Sequence, residues 1–185
     1  MKKNKLLLSP FVLLLFITTG FRQDHKPNSF DDGKRWSGTV KWMRKTEGGH
    51  TVFFEWRMEA TIEDGVGTVV HSYKSENDEG VTANCRNEAE TELELGIDKD
   101  NKEYSISVAV PGCYGIKMDH GVQSDFGATD ETAIVIDRQP LPQQDPLKTL
   151  SGRLITRDTN PADGSVTTET YDWSLEKDKK KKTAP

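Results

Sequence analysis

Asp119 and His120 form the adjacent pair of side chains best suited to acid–base chemistry in this sequence. They lie in the segment 111–127, PGCYGIKMDHGVQSDFG, which shows neither helical nor strand periodicity. A carboxylate can orient an imidazole ring, and imidazole titrates near neutral pH. Adjacent residues of an extended chain point apart, however, and the sequence contains no Gly-x-Ser-x-Gly or similar nucleophile motif. A hydrolase using Asp119 and His120 is one hypothesis, but the pattern favours polar loop residues in a protein that is not an enzyme.

The segment 111–127 also has the features of a binding loop. Its length of 17 residues exceeds that of a hairpin turn, and loops of this size are commonly functional or mobile. A disulfide between the two cysteines of the chain, Cys85 and Cys113, would hold the loop in place before it meets a partner. Free thiols or a metal pair are alternatives, although cysteines without Cys-x-x-Cys spacing form a poor zinc site. The loop residues that we expect to contact a partner are Tyr114, Lys117, Asp119 and His120.

The sequence predicts no metal site and no cofactor. Asp98, Asp100 and Asn101 resemble the opening of a calcium-binding loop, but the glycine and the distal glutamate of such a loop are missing. Asp and Asn are also common in hairpin turns, which is the preferred interpretation. The histidines are dispersed and match no metal-binding spacing. They are His25, His50, His71 and His120.

Four glutamates alternate along one predicted strand: Glu88, Glu90, Glu92 and Glu94. Alternate residues of a strand lie about 6.6 Å apart, a separation that glycosidases use for paired catalytic acids. Such a pair also needs one carboxyl group that burial keeps protonated. In a regular row on a solvent-exposed face the carboxyl groups all have similar surroundings, so none is set apart in this way. We therefore expect this row to deter edge pairing or to meet cations.

The tryptophans are candidates for stacking against sugar rings; they are Trp36, Trp42, Trp56 and Trp173. Trp42 and Trp56, however, share strand faces with apolar residues, which favours positions in the core. The apolar side chains expected on otherwise polar faces are Met43 and Phe53 of the first predicted hairpin. We predict that Met43 and Phe53 join the loop 111–127 in the binding surface.

Alternation of apolar and polar residues dominates the sequence, and helical periodicity is scarce. Between Val52 and Ile62, for example, alternate positions are apolar, and only Phe53 breaks the pattern. Glycine-containing turns separate about eight or nine such segments. This pattern predicts an all-β fold, namely an antiparallel β-sandwich or a closed barrel with one disulfide.

The first and last predicted hairpins resemble each other. Both contain Ser-Gly, one further residue and a branched aliphatic residue before a glycine turn, and both end in Trp-x-(Met/Leu)-Glu. Any amphipathic hairpin would show some likeness, so a duplicated unit is only one interpretation. If the likeness is structural, Trp56 and Trp173 are equivalent and the two ends of the chain pair with each other.

The first twenty residues are typical of an export signal. Three lysines precede an apolar run over 6–17, and small residues follow at Thr18, Thr19 and Gly20. A membrane anchor is the alternative, but the run is shorter than the roughly 20 residues that a bilayer requires. We expect cleavage near Gly20 and a secreted or periplasmic protein. The predicted organisation is a signal peptide (1–20), a flexible segment (21–35), a single β domain (36–176) with no membrane span, and a disordered lysine-rich tail (177–185).

The predicted mature chain is acidic. Three of the 25 basic residues leave with residues 1–20, whereas all 30 acidic residues remain, so the net charge is −8. This charge argues against a nucleic-acid partner, since phosphate binding needs a basic face. The tail is an exception that could contact an acidic surface through four consecutive lysines, which are Lys179, Lys180, Lys181 and Lys182.

Taken together, the sequence predicts an exported, non-enzymatic binding module of the cell envelope or extracellular space. Its partner, a protein or a glycan, would be recognised through the loop 111–127. An alternative is an inhibitor or immunity-type protein that inserts this disulfide-held loop into a partner enzyme, for which the acidity would suit a basic target.

Overall fold

The structure is a computed structural model that describes residues 29–31, 35–49, 51–144 and 146–178. The predicted signal peptide, most of the predicted flexible segment and residues 179–185 of the predicted tail lie outside the described residues, whereas Lys177, the first residue of that tail, ends the last strand. Within the described ranges there is no helix of the length and hydrophobicity needed to cross a bilayer.

The described residues form eleven strands and no helix, which confirms the predicted all-β fold. The number of strands exceeds the expected eight or nine. Ser29–Asp31, inside the segment expected to be flexible, forms a short strand that pairs with Leu95–Ile97. The strands are β1 (Ser29–Asp31), β2 (Trp36–Gly48), β3 (Thr51–Glu63), β4 (Val66–Asn77), β5 (Thr82–Asp98), β6 (Glu103–Val110), β7 (Cys113–Asp119), β8 (Val122–Thr129), β9 (Thr132–Pro140), β10 (Thr149–Thr159) and β11 (Val166–Lys177).

The strands form one antiparallel sheet with the order β10-β11-β2-β3-β4-β5-β6-β9. The first part of β5 also pairs with β7, which pairs in turn with β8, and the last part of β5 pairs with β1. Among the described strands, β10 and β9 stand at opposite ends of the order and do not pair with each other. The sheet is therefore not closed, and the prediction of a closed barrel is wrong.

The pairing of β11 with β2 joins the first and last hairpins side by side. The first and last hairpins therefore pair as expected, although the sheet stays open. Trp56 and Trp173 are not equivalent, because Trp173 lies opposite Gly152 of the Ser-Gly pair whereas Trp56 lies opposite Arg44.

Alternation also gives the expected burial in the long strands. Met58, Ala60 and Ile62 of β3 are buried, whereas Val52 at the other end of the same strand is 54% exposed.

One hydrophobic core lies between two parts of this sheet. Strand β5 belongs to both parts, since its residues 82–92 pair with β4 and its residues 93–98 pair with β6. Across the core, the indole Nε1 of Trp173 donates a hydrogen bond of 2.9 Å to the hydroxyl of Tyr104. The sheet therefore folds over itself at β5 and brings β6 opposite β11. The largest fully buried side chains are Trp36, Leu95, Ile106, Ile134, Ile136, Leu150 and Leu175.

Strands β6 and β7 both pair antiparallel with β5, each with a different part of it. A break of two residues separates β6 from β7 in the chain. Pro111 and Gly112 form this break, and Cys113 immediately after it is bonded to Cys85 of β5, with their Cα atoms 6.0 Å apart. The disulfide predicted from the sequence is thus confirmed.

Side chains from β4 and β5 bind backbone carbonyl oxygens of the break and of the end of β6. Such carbonyl groups are costly to bury without a donor. Each of three neighbouring side chains supplies one donor. The pairs are Thr91 Oγ1 to Ala109 O at 2.6 Å, His71 Nδ1 to Pro111 O at 3.1 Å, and Asn87 Nδ2 to Gly112 O at 2.9 Å.

The segment 111–127 is not the irregular loop that its composition suggests. Beyond Gly112 it consists of β7 and most of β8, which form a hairpin with a two-residue turn at His120 and Gly121. Both turn residues have positive φ, 49° and 85°, as a primed hairpin turn requires. The prediction of an irregular loop is therefore wrong, because the turn lies inside the segment and the residues on either side pair with each other.

Candidate functional site

The face of the sheet that carries the core extends beyond it as a half-buried surface rich in aromatic rings. We call this surface the aromatic inner face; its half-buried rings are Phe54, Trp56, Tyr73, Phe126 and Tyr171. Trp42 is nearly buried between two of them, with ring centroids 5.0 Å from Trp56 and 6.5 Å from Tyr171. The rings contact one another across five strands of the sheet.

Strand pairing places these rings on one face. Trp56 of β3 lies opposite Arg44 of β2 and Tyr73 of β4, and Arg44 lies opposite Glu169 of β11. Phe54 projects from the same face because it is two residues from Trp56 in the strand. The same period-two pattern that buries one end of β3 therefore presents rings at its other end.

The aromatic inner face is concave near β8. Phe126 of β8 is separated from Tyr73 of β4 by the strands β7 and β5, yet the two ring centroids are only 5.3 Å apart. The residues between them in register are Gly115 and Cys85. Gly115 has no side chain, and the Cys85 side chain is engaged in the disulfide. The gap they leave allows the ring of Phe126 to lie over the sheet and reach Tyr73.

An open depression of about 510 Å³ lies at the β10 side of the aromatic inner face. Phe54 is its aromatic residue, and the other side chains lining it can form hydrogen bonds. Two of them, Thr46 and Thr167, have their hydroxyl oxygens 2.8 Å apart. The polar lining consists of Arg44, Thr46, Thr51, Thr156, Asp158, Thr167 and Glu169.

An ion pair crosses the wall of this depression. Arg44 Nε donates to Glu169 Oε1 at 2.7 Å, and Arg44 Nη2 contacts the same oxygen. The guanidinium carbon also lies 5.5 Å from the centre of the Trp42 ring, within the range of a cation–π contact. The two charges offset each other, and the second carboxylate oxygen of Glu169, Oε2, accepts a hydrogen bond of 3.5 Å from the hydroxyl of Tyr171. Burial, followed by the nearby charge of Glu169, raises the pKa of Tyr171.

His71 is a buried side chain that contacts Trp56 of the aromatic inner face. It was not predicted as a site residue. Its side chain is fully buried, and its ring stacks on Trp56 with centroids 5.7 Å apart. Trp56 Nε1 donates a hydrogen bond to His71 Nε2, and His71 Nδ1 donates to the Pro111 carbonyl oxygen. Burial lowers the pKa of His71. The neutral His71 ring thus fixes the position of the Trp56 side chain. In the sequence, the only sign of this role is that His71 lies in a predicted strand.

The predicted pair Asp119 and His120 lies at the exposed tip of the β7–β8 hairpin. His120 Nδ1 is 2.7 Å from Asp119 Oδ1, and Lys117 Nζ is 3.3 Å from Asp119 Oδ2. The hydrogen bond from His120, followed by that from Lys117, lowers the pKa of Asp119. The expectation that the adjacent side chains point apart is wrong because His120 occupies the turn. The carboxylate is exposed and lies outside the depression at β10.

The other predicted binding residues do not line the depression at β10. Tyr114 is 70% exposed, and its position in β7 alternates with that of Gly115, so it projects from the outer face. Met43 and Phe53 are half-buried, and Phe53 borders Glu55 and Arg57 on the outer face of β3. The structure therefore brings Lys117, Asp119 and His120 together, whereas Tyr114, Met43 and Phe53 occupy the opposite face of the sheet.

Among the described residues, no group of three or more His, Cys, Asp or Glu side chains is arranged to hold a metal ion. The glutamates of β5 are all exposed, as the alternation predicts. Comparisons of the chain with protein-family models, with curated proteins and with solved structures gave no match.

Proposed function

We propose that this protein is an exported, non-enzymatic binding module that recognises a glycan on its aromatic inner face. The observation that carries the proposal is the combination of half-buried rings with a depression whose other lining side chains can form hydrogen bonds. Sugars present apolar C–H faces and hydroxyl edges. A ligand site for them needs flat apolar side chains together with a few fixed donors and acceptors.

The charges of the depression favour a neutral sugar over a charged one. Arg44 and Glu169 offset each other, and the remaining acidic side chain, Asp158, is an acceptor for hydroxyl groups. The three strands β11, β2 and β3 hold the central side chains in register, so little ordering is needed when a ligand binds.

Export is the second part of the proposal. It is supported by the signal-peptide pattern of residues 1–20 and by the disulfide, since disulfides persist in oxidising compartments. Expression of the full chain in a secreting host, followed by N-terminal sequencing, tests it. We expect a processed protein that begins near Phe21; an unprocessed cytosolic protein with reduced cysteines would contradict export.

Glycan binding is tested with the purified protein and a panel of neutral hexasaccharides: cellohexaose, maltohexaose, mannohexaose and xylohexaose. Tryptophan emission reports binding, because Trp42 and Trp56 lie in or beneath the proposed surface. For a hexasaccharide that binds, F54A and E169Q should each weaken affinity at least about tenfold. Y114A is the matched control, since Tyr114 projects from the opposite face, and it should leave affinity unchanged.

Two results would overturn the proposal. The first is a folded protein that binds no hexasaccharide of the panel at millimolar concentration. The second is an affinity that falls in Y114A and not in F54A or E169Q. That result would indicate that the ligand binds to the outer face of the β7–β8 hairpin.

The inhibitor alternative requires a segment that projects into a cleft. Met118 of β7 lies opposite Thr82, the first residue of β5. The β7–β8 hairpin has only one further residue pair beyond Met118, namely Asp119 with Val122, before its turn. Its tip therefore extends little beyond the neighbouring β4–β5 turn. This geometry supports the inhibitor alternative less well than it supports binding on the inner face.

A further inference from the structure

Strand β10 is a long and regular edge strand. All eleven of its residues pair with β11 without a register shift, and among the described strands it has no partner on its other side. Every residue from Ser151 to Thr159 is exposed. An edge of this length, about 37 Å, presents an unpaired row of backbone N–H and C=O groups that can bind another strand.

The opposite end of the sheet is protected against such pairing, whereas β10 is not. In β9 a register shift occurs near Ile136, Arg138 has a positive φ of 49°, and the strand ends at Pro140. Bulges and prolines are common ways of blocking an edge. Strand β10 contains no proline, lysine or residue of positive φ. It exposes Leu154 by 40% on the inner face and Ile155 by 55% on the outer face.

We propose that the protein forms a homodimer in which the β10 strands of two copies pair antiparallel about a two-fold axis at Leu154. Leu154 is the midpoint of Thr149–Thr159, so this register pairs all eleven residues of each strand. The sheet then continues from one copy into the other. The apolar Leu154 side chains meet at the axis, and Ile155 of each copy lies beside the stem of Arg153 of the other.

The charges on β10 favour this register. No two like charges lie directly opposite each other in it, since Arg153 faces Ile155 and Arg157 faces Ser151. Because the side-chain period of a strand is two, the nearest alternatives that keep each face are shifts by two residues. One such shift places Arg153 of one copy opposite Arg153 of the other, and the second shift places Arg153 of one copy opposite Arg157 of the other. Like charges directly opposite each other destabilise a strand pair.

The dimer would place the two depressions side by side. Thr156 and Asp158 of β10 line each depression, and the two-fold axis is perpendicular to the sheet, so both inner faces lie on the same side. A polymeric ligand that spans both copies would then bind with increased avidity. The dimer itself depends only on the edge strand and does not require a glycan ligand.

The test is sedimentation velocity on protein purified after expression of the full chain, from about 1 to 200 µM. We expect a monomer–dimer equilibrium in which L154K and L154D each raise the dissociation constant at least about tenfold, because each puts like charges at the axis. Mixing L154K with L154D should restore the dimer, because opposite charges then meet. V135K on β9, where Val135 is 54% exposed, is the matched control and should leave the dissociation constant unchanged.

Three outcomes would overturn the proposal while circular dichroism shows every variant folded. They are a wild-type protein that stays monomeric over the whole range, dimers that L154K and L154D leave unchanged, and a mixture of these two variants that fails to dimerise. A dimer lost in V135K would place the interface at β9. None of these outcomes affects glycan binding, which is measured separately.

Discussion

Trp56 donates a hydrogen bond from its indole N–H to Nε2 of His71, whose Nδ1 in turn donates to the carbonyl oxygen of Pro111 at 3.1 Å. This arrangement requires the neutral form of His71, because the protonated ring would place an N–H group against the indole N–H. One buried side chain thus connects the aromatic inner face to the break between β6 and β7.

The free energy of unfolding should fall as the pH decreases below about 6.5, the ordinary pKa of histidine. Burial lowers the pKa of folded His71, so in this range the unfolded chain binds a proton that the folded chain resists. The slope for one such group approaches about 1.4 kcal/mol per pH unit. Urea denaturation between pH 5 and 8 measures it. H71Q should lose this slope and H120Q should retain it; an equal slope in H71Q would exclude His71 as its source.

Replacing both Cys85 and Cys113 by serine should lower the free energy of unfolding by about 3 to 4 kcal/mol, as the closure entropy of a loop of this length implies. The loss should be largest near β7, which pairs with β5 only over Thr82–Cys85. Chemical denaturation and amide hydrogen exchange measure these effects. A change smaller than about 0.5 kcal/mol would show that strand pairing alone holds the hairpin.

G115A should destabilise the protein by about 1 to 3 kcal/mol, the usual cost of overpacking. A Cβ atom at Gly115 would lie 2.6 Å from Cys85 Cβ and would also meet the backbone of Asn84. Gly127 in the same hairpin is the matched control, because a Cβ there meets only the Tyr114 ring, at 3.4 Å. Thermal denaturation should therefore separate G115A from G127A, and equal midpoints would contradict this packing.

Y104F should cost about 1 to 3 kcal/mol, because it removes the acceptor of the Trp173 N–H inside the core. Both side chains are at least 95% buried, and burial raises the pKa of the Tyr104 hydroxyl, so this group stays protonated at neutral pH. Y114F, at an exposed position, should change stability by less than about 0.5 kcal/mol. Urea denaturation compares the two variants; a stability loss in Y114F as large as that in Y104F would argue against this hydrogen bond.

The sequence contained enough information to predict most of the strands, the burial of β5 and β6 and the disulfide. Leu93, Leu95 and Ile97 alternate with Glu94 and Gly96, and the structure buries all three apolar residues. Such patterns are local: each strand shows which of its own faces is apolar. The hairpin of β7 and β8 was missed because its alternation is interrupted, as by Gly115 between Tyr114 and Ile116, and because its turn residues lie within a segment rich in glycine.

The aromatic inner face could not be predicted in the same way. Phe54 and Trp56 share a strand face with buried residues, so the alternation alone assigns them to the core. Their partial exposure arises because they lie at the end of β3 away from the fully buried residues Ala60 and Ile62. The contact of Tyr73 with Phe126 depends on the order of four strands, which no local pattern contains.

The central claim is that ligand binds on the aromatic inner face. Amide hydrogen exchange of the protein with and without each hexasaccharide of the panel tests it most directly. We predict increased protection in β2, β3 and β11 around Arg44, Phe54 and Glu169, with β7 around Tyr114 unchanged. Protection confined to the β7–β8 hairpin, or no change with any hexasaccharide, would contradict the claim.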